Sequence, residues 1–250
     1  MKEQMTALVT GASSGIGEAY CRALASRCKR IIAVARRDDR LQALVGDLAG
    51  QCEVIPVVAD LATLEGVTRT VEAMRQRGPV HCLVNNAGFS TLGPLEHSDI
   101  EDELAMVRVH VDATVSLCRA AIPFMREAGG GYLINVASVG AFLEMRSTAV
   151  YGACKAFMVS LSRSLQEEVS SAAISVQCLC PGMTRTEIHD QPAFAGFDKS
   201  QIPEEMWMEV EPVVAASLEA LDSGRVVVVP GELNRSLVRD GVRRLLDALD

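Results

Sequence analysis

Met5-Thr6-Ala7-Leu8-Val9-Thr10-Gly11-Ala12-Ser13-Ser14-Gly15-Ile16-Gly17-Glu18-Ala19 is the stretch that decides the fold of this chain. Its short apolar run reads as a buried strand, and the small residues that follow cannot extend it. From Glu18 to Arg27 the pattern turns helical, with Ala19, Leu24 and Ala25 among the apolar positions. A strand, a glycine turn and a helix N-terminus together make an anion site. Free backbone N–H groups and the positive end of the helix dipole face the same point, which suits a diphosphate. Gly11 permits the tight turn, Gly15 the close approach of backbone to ligand, and Gly17 the close packing of helix on strand. The spacing is Gly-x-x-x-Gly-x-Gly, not the more familiar Gly-x-Gly-x-x-Gly.

Beyond this stretch, apolar β-rich runs alternate with longer helical patterns. Strands are expected at 5–10, 30–35, 52–59, 80–85, 131–137, 174–179 and 225–229. This alternation is the signature of an α/β chain. We expect a single doubly wound (Rossmann-type) domain over residues 1–250, a mostly parallel seven-stranded sheet with helices on both faces. The composition changes once, over 187–211, where Phe194, Phe197, Met206, Trp207 and Met208 mix with Pro192, Pro203 and Gly196. A bulky apolar segment of this kind is expected to act as a lid over substrate.

Tyr151-Gly152-Ala153-Cys154-Lys155 places a phenol and an ammonium four residues apart, on one face of a helix. A free phenol has a pKa of about 10 and is a poor acid or base at neutral pH. A cation beside it favours the phenolate, so Lys155 is expected to lower the pKa of Tyr151. The tyrosine then serves as general acid–base for a carbonyl/alcohol pair. Ser138, thirteen residues earlier, would donate a hydrogen bond to the same oxygen.

These residues resemble the short-chain dehydrogenase/reductase family over nearly the whole chain. Thr10-Gly11-Ala12-Ser13-Ser14-Gly15-Ile16-Gly17 is similar to its cofactor turn, Asp60-Leu61 to its adenine contact, and Asn85-Asn86-Ala87-Gly88 to its fourth-strand motif. Ser138, Tyr151 and Lys155 match its catalytic residues, and Pro181-Gly182-Met183-Thr184-Arg185-Thr186 its nicotinamide-side loop. The resemblance implies that Lys155 also bonds the nicotinamide ribose, and that Pro181, Gly182, Thr184 and Thr186 hold the carboxamide and diphosphate side. It further implies a homodimer or homotetramer. One position departs from the pattern: where many relatives carry a catalytic Asn, this chain has His110. In the family that group acts largely through a main-chain carbonyl at a helix distortion, so His110 is expected to supply the same support to the lysine.

Cofactor choice rests on the end of the second strand, Ala33-Val34-Ala35-Arg36-Arg37-Asp38. A carboxylate there would bind the adenosine ribose and repel a 2′-phosphate. Ala35 stands at its place, followed by Arg36 and Arg37. Guanidiniums pair with phosphate through charge-assisted hydrogen bonds, so NADP(H) is expected, with Arg36 the stronger candidate.

The expected activity is hydride transfer between nicotinamide and a carbonyl or secondary alcohol. Phe142-Leu143 and the apolar lid point to a hydrophobic ketone. A 3-oxoacyl thioester reductase, or a non-catalytic NADP(H)-binding regulator on the same fold, stays open as an alternative.

The 250 residues are 49% hydrophobic and carry a net charge of −8 without a long basic cluster, which argues against nucleic acid. No apolar run approaches a membrane span. Met1-Lys2-Glu3-Gln4 does not read as a signal peptide. Eight scattered cysteines contain no Cys-x-x-Cys pair, and His81, His97 and His189 show no metal-ligand spacing and read as surface or loop residues. A cytoplasmic enzyme without a metal is expected.

Overall fold

The computed structural model of the chain describes residues 5–194 and 197–249. Met1–Gln4, read above against a leader, and Gly196 of the expected lid lie outside them.

Seven strands form one parallel sheet in the order β3-β2-β1-β4-β5-β6-β7. They are β1 (Thr6–Thr10), β2 (Arg30–Ala35), β3 (Glu53–Val58), β4 (Cys82–Asn85), β5 (Gly131–Val136), β6 (Ile174–Leu179) and β7 (Val227–Val228). All seven fall within the expected segments. β7 shrinks to two residues because it is an edge strand that pairs only with β6, and Pro230 soon ends the run of N–H donors.

The strands are apolar on both sides because both sides are covered. Ala7 and Val9 of β1, with Ile31 and Ala33 of β2, belong to one core, and Leu8, Ile32 and Val34 to the other. The first core packs under α1 (Gly15–Ala25), α2 (Asp38–Asp47) and α7 (Val210–Ala220), through Tyr20, Leu24, Leu41 and Val213. The second packs under α3 (Leu64–Arg77), α5 (Thr114–Glu127) and α6 (Ala149–Val169), through Met74, Leu117, Met125 and Val169. α4 (Ile100–Val107) precedes α5, and α8 (Glu232–Asp247) ends the described chain. No helix among the described residues is long and apolar enough to cross a membrane.

Two features place the site. Strand order reverses between β1 and β4, so the loops after these neighbours diverge and leave a crevice at the carboxyl edge of the sheet. Between α4 and α5 the helix widens into a π-helical turn, Arg108–Ala113. Such turns insert an extra residue into the helical path and re-aim its side chains.

Candidate active site

Gly11 and Gly15 adopt φ of +67° and +56°, conformations that L side chains rarely take. A Cβ on Gly17 would lie 2.2 Å from the Gly11 carbonyl oxygen, and one on Gly15 would lie 3.0 Å from Thr186 Cγ2. The turn is therefore shaped by close backbone approach on one side and opens toward Thr186 on the other. Ser14 stands at the N-cap of α1 in an extended conformation and makes no side-chain cap. The first N–H groups of α1 are left to an anion, and the cradle fits the diphosphate that the sequence implies.

The crevice is braced by Thr10, whose role the sequence did not reveal. Its hydroxyl donates to the Val84 carbonyl and accepts the N–H groups of Asn86 and Ala87 at 2.9 and 3.0 Å. Asn86 in return donates through Nδ2 to the Thr10 carbonyl at 2.9 Å. A hydroxyl at a strand end gives no one-dimensional sign of such work, because its partners lie more than seventy residues away.

At the ends of the neighbouring strands the expected catalytic groups converge. Ser138 follows β5 and is fixed by two flanking main-chain bonds, Ala137 N–H to Leu179 O and Val139 N–H to Pro181 O. Its Oγ accepts the Gly140 N–H at 3.0 Å, which leaves its own proton to be donated. That hydroxyl lies beside Tyr151, on the first turn of α6, and works to lower the phenol's pKa. A Cβ on Gly140 would stand 3.4 Å from Ser138 Oγ, 3.5 Å from Tyr151 Cε1 and 2.7 Å from Met145 Cε. Gly140 keeps this spot clear, and Met145 roofs it.

Lys155, one helical turn on, is buried. Its Nζ donates to the Val136 carbonyl at 2.9 Å and lies 3.2 Å from His110 Nδ1. His110 sits in the π-helical turn, and its Nε2 lies 2.9 Å from the Phe89 carbonyl. The expected effect of Lys155 on Tyr151 needs correction. Burial pushes the phenol above its ordinary value, while the Ser138 hydroxyl pulls it back. The ammonium lies 5.5 Å from the ring centroid, with two of its N–H groups directed at Val136 and His110. Desolvation of the phenolate therefore outweighs the distant cation. Burial also lowers the Lys155 ammonium to about 8.

The paired arginines separate. Arg36 is exposed at the end of β2 and makes no ion pair or hydrogen bond with the described residues. Arg37 instead lies across the glycine turn, bonding Ser13 Oγ at 3.1 Å, Ser14 Oγ at 2.9 Å and Glu187 Oε2 at 2.8 Å. Neither pairs with Asp38 or Asp39; Asp38 accepts from Gln42. Of the adenine-side pair, Leu61 is buried and exposed Asp60 takes the Ala62 N–H at 3.0 Å, turning the chain into α3. Gly88 packs on the His110 ring, where an added Cβ would be 2.1 Å from Cε1.

Pro181, Gly182, Thr184 and Thr186 follow β6 along the same cleft. Gly182 lies against the Asn234 side chain of α8, and the Thr184 hydroxyl donates to the Gly182 carbonyl. Met208 pairs with Thr184 as in a parallel ladder, through Met208 N–H to Met183 O and Arg185 N–H to Met208 O. The 187–211 segment thus leaves and rejoins the cleft at one point. Between, it forms short 3₁₀ turns, including Glu187–Asp190 and Glu204–Met206. His189, read from sequence as a plain loop residue, is the hub here: its ring contacts Phe194, Phe197 and Trp207 at centroid distances of 5.6, 5.5 and 5.2 Å. Aromatics scattered from 194 to 207 carry no helical or strand period, so only folding reveals their common partner.

Comparison with known proteins agrees with this architecture. Residues 5–193 match the family described as short chain dehydrogenase. An uncharacterised oxidoreductase of Staphylococcus epidermidis is 30% identical over 193 residues, covering 77% of this chain and 83% of that protein. Among solved structures, a short-chain dehydrogenase from Sphingobium yanoikuyae in complex with NADPH superposes with a TM-score of 0.85 at 33% identity, over 98% of this chain and 95% of that one. The bulky-bulky ketone specific alcohol dehydrogenase from Comamonas testosteroni gives 0.82 at 28% identity, over 99% and 95%. The chain belongs to the short-chain dehydrogenase family and is an oxidoreductase of the Rossmann type.

Proposed function

We propose that this enzyme transfers hydride between NADP(H) and a carbonyl or secondary alcohol, and that in reduction it acts on a bulky apolar ketone. The observation that carries the reading is the meeting of Ser138 and Tyr151 beside Gly140, with Lys155 buried one helical turn on. Bound at the cradle, the cofactor would supply hydride at nicotinamide C4. Gly11, Ser13, Ser14, Gly15, Ile16 and Gly17 would hold its diphosphate side, with Asp60, Leu61, Asn86, Ala87 and Gly88 along the adenosine side. Pro181, Gly182, Thr184 and Thr186 would flank the nicotinamide.

Tyr151 donates its phenolic proton to the oxygen of the substrate as negative charge develops there. A phenol kept protonated by burial is poised for that direction. Ser138 donates a second hydrogen bond to the same oxygen, its orientation fixed by Gly140 N–H. Lys155 supplies a positive charge under the site.

NADP(H) is favoured by exposed Arg36 at a strand end that lacks a carboxylate, and by the NADPH bound in the Sphingobium relative. A bulky apolar ketone is favoured by Met145 over Gly140, by the aromatic cluster around His189, and by the name of the Comamonas relative. We place the 187–211 segment as a lid and the enzyme in the cytoplasm, where its eight unpaired thiols would persist. A homodimer or homotetramer would cover the apolar groove of about 360 Å³ formed by residues including Val107, Val111, Ala149 and Phe157.

The test is NADPH oxidation against bulky ketones, small ketones and 3-oxoacyl thioesters, each repeated with NADH. Turnover of bulky ketones with NADPH supports the reading. Preference for the thioesters moves the substrate class, and tight NADPH binding without turnover of any carbonyl makes the chain a binding protein.

A further inference from the structure

His110 lies wholly buried between two groups with fixed hydrogen-bonding roles. The Phe89 carbonyl, 2.9 Å from Nε2, only accepts. The Lys155 ammonium, 3.2 Å from Nδ1, only donates. One form of the ring satisfies both: neutral imidazole with its proton on Nε2. The Gly88 backbone packs on Cε1 and leaves the ring no room to turn there. Burial and the adjacent ammonium hold the His110 pKa near about 3, so the neutral form persists across the working range.

We infer that His110 is a positioning residue for Lys155: its Nδ1 lone pair holds one N–H of the ammonium, Val136 O holds a second, and the third meets, among the described residues, only Met158 Sδ at 3.9 Å, a weak acceptor that a ligand hydroxyl can displace. This rests on the reading of Lys155 given above. Phe89 O closes the far end, because a carbonyl cannot carry a proton onward. His110 therefore orients and does not relay.

The groups that face this pair leave His110 and Val136 O as its oxygen and nitrogen acceptors. α6 contributes Tyr151 and Cys154, β6 and the residue after it contribute Cys178 and Cys180, and Met158 Sδ lies 3.9 Å from Nζ. Glu103 of α4 faces Cys154 and accepts from Thr91. Deleting the Nδ1 acceptor therefore removes a bond to the charged form and lowers the pKa of Lys155.

Two substitutions separate the two ring nitrogens. His110→Asn puts an oxygen where Nδ1 was and drops the bond to Phe89. His110→Gln keeps an N–H donor toward Phe89 and drops the acceptor. The basic limb of the pH profile of kcat/KM for ketone reduction should stay in place in His110→Asn. In His110→Gln it should move about one pH unit lower, with kcat reduced about tenfold. Equal limbs in both variants would overturn the inference, because a merely structural imidazole has no such asymmetry.

A second readout needs no turnover. Long-range ¹⁵N–¹H spectra of the histidine-labelled parent, assigned by the signal lost in His110→Asn, should show a neutral Nε2–H ring that does not titrate down to about pH 5. A ring that protonates near pH 6.5, or carries its proton on Nδ1, refutes it. Should either variant fail to fold, this spectrum decides, with the signal then assigned by its contact to Gly88. Should the parent reduce no carbonyl, the proposed function falls while the spectrum still judges His110.

Discussion

The two walls of the cleft are built differently. On the β5–α6 side the polar groups are buried and bonded to one another, with Asn85 Oδ1 left without a partner among the described residues. Asn85 Nδ2 donates to Asn135 Oδ1 at 2.8 Å, Asn135 Nδ2 to Ser162 Oγ at 2.9 Å, and Lys155 Nζ to Val136 O at 2.9 Å. Losing one such partner strands another polar group away from water, at a cost of about 1–3 kcal/mol. On the 187–211 side, apart from the aromatic cluster and the main-chain ladder at Met208, the ties are exposed ion pairs: Arg37 with Glu187, Arg185 with Glu204 and Glu209, and Lys199 with Asp190. Exposed pairs each contribute roughly 0–1 kcal/mol. The wall that would carry the reacting groups is tightly cross-bonded, and the wall that would meet the bulk of the substrate is held by contacts that can be exchanged cheaply. Changes on the first should cost rate, and changes on the second should cost affinity or selectivity.

Tyr151→Phe attacks the first wall directly and should have the largest effect. It removes the transferable proton and keeps the ring, so NADPH binding should persist while turnover falls more than about 10³-fold. A reduction rate within tenfold of the parent would remove Tyr151 from the mechanism. Ser138→Ala comes next, with kcat lower by about 10²-fold, the usual loss for one donor to a developing oxyanion. If instead only KM rises, Ser138 binds substrate without stabilising the transition state.

Arg36, exposed just after β2, makes no bond to the described residues of either wall. Arg36→Asp should weaken NADPH binding by about 10- to 100-fold and leave NADH binding nearly unchanged, since repulsion replaces a charge-assisted bond. The measurement is a pair of dissociation constants at one ionic strength. An unchanged NADPH/NADH ratio would hand the 2′-phosphate to Arg37 or to neither.

The second wall should answer least. Glu187→Gln breaks the pair with Arg37, in which both side chains are 41% exposed, and should change NADPH affinity by less than about fivefold. Trp207, the chain's one tryptophan, touches His189 and lies under Arg185, so its emission reports on this wall alone. Adding NADPH and then a bulky ketone should change that emission in two steps, the second reporting closure. A saturating, turning-over ketone that leaves emission unaltered would make the segment a static loop and erase the contrast between the walls.

What the sequence determined by itself was whatever is written in local, contiguous patterns. Apolar runs located all seven strands, since a strand covered on both faces has to be largely apolar. The tight turn at Gly11, Gly15 and Gly17 was legible because backbone conformation is a local property, and the nearness of Tyr151 to Lys155 because helical spacing puts them on one face. What only the tertiary structure decided was partnership between distant residues and the outcome of competing environments. Arg37 and Glu187 are 150 positions apart, and Lys155 and His110 are 45. Adjacent Arg36 and Arg37 have the same chemistry, yet the fold lays one across the glycine turn against Ser13, Ser14 and Glu187 and leaves the other in solvent. The phenol of Tyr151 follows the same logic: the sequence supplies the nearby cation, but the sign of the shift depends on how much water the fold removes, and here desolvation outweighs the charge.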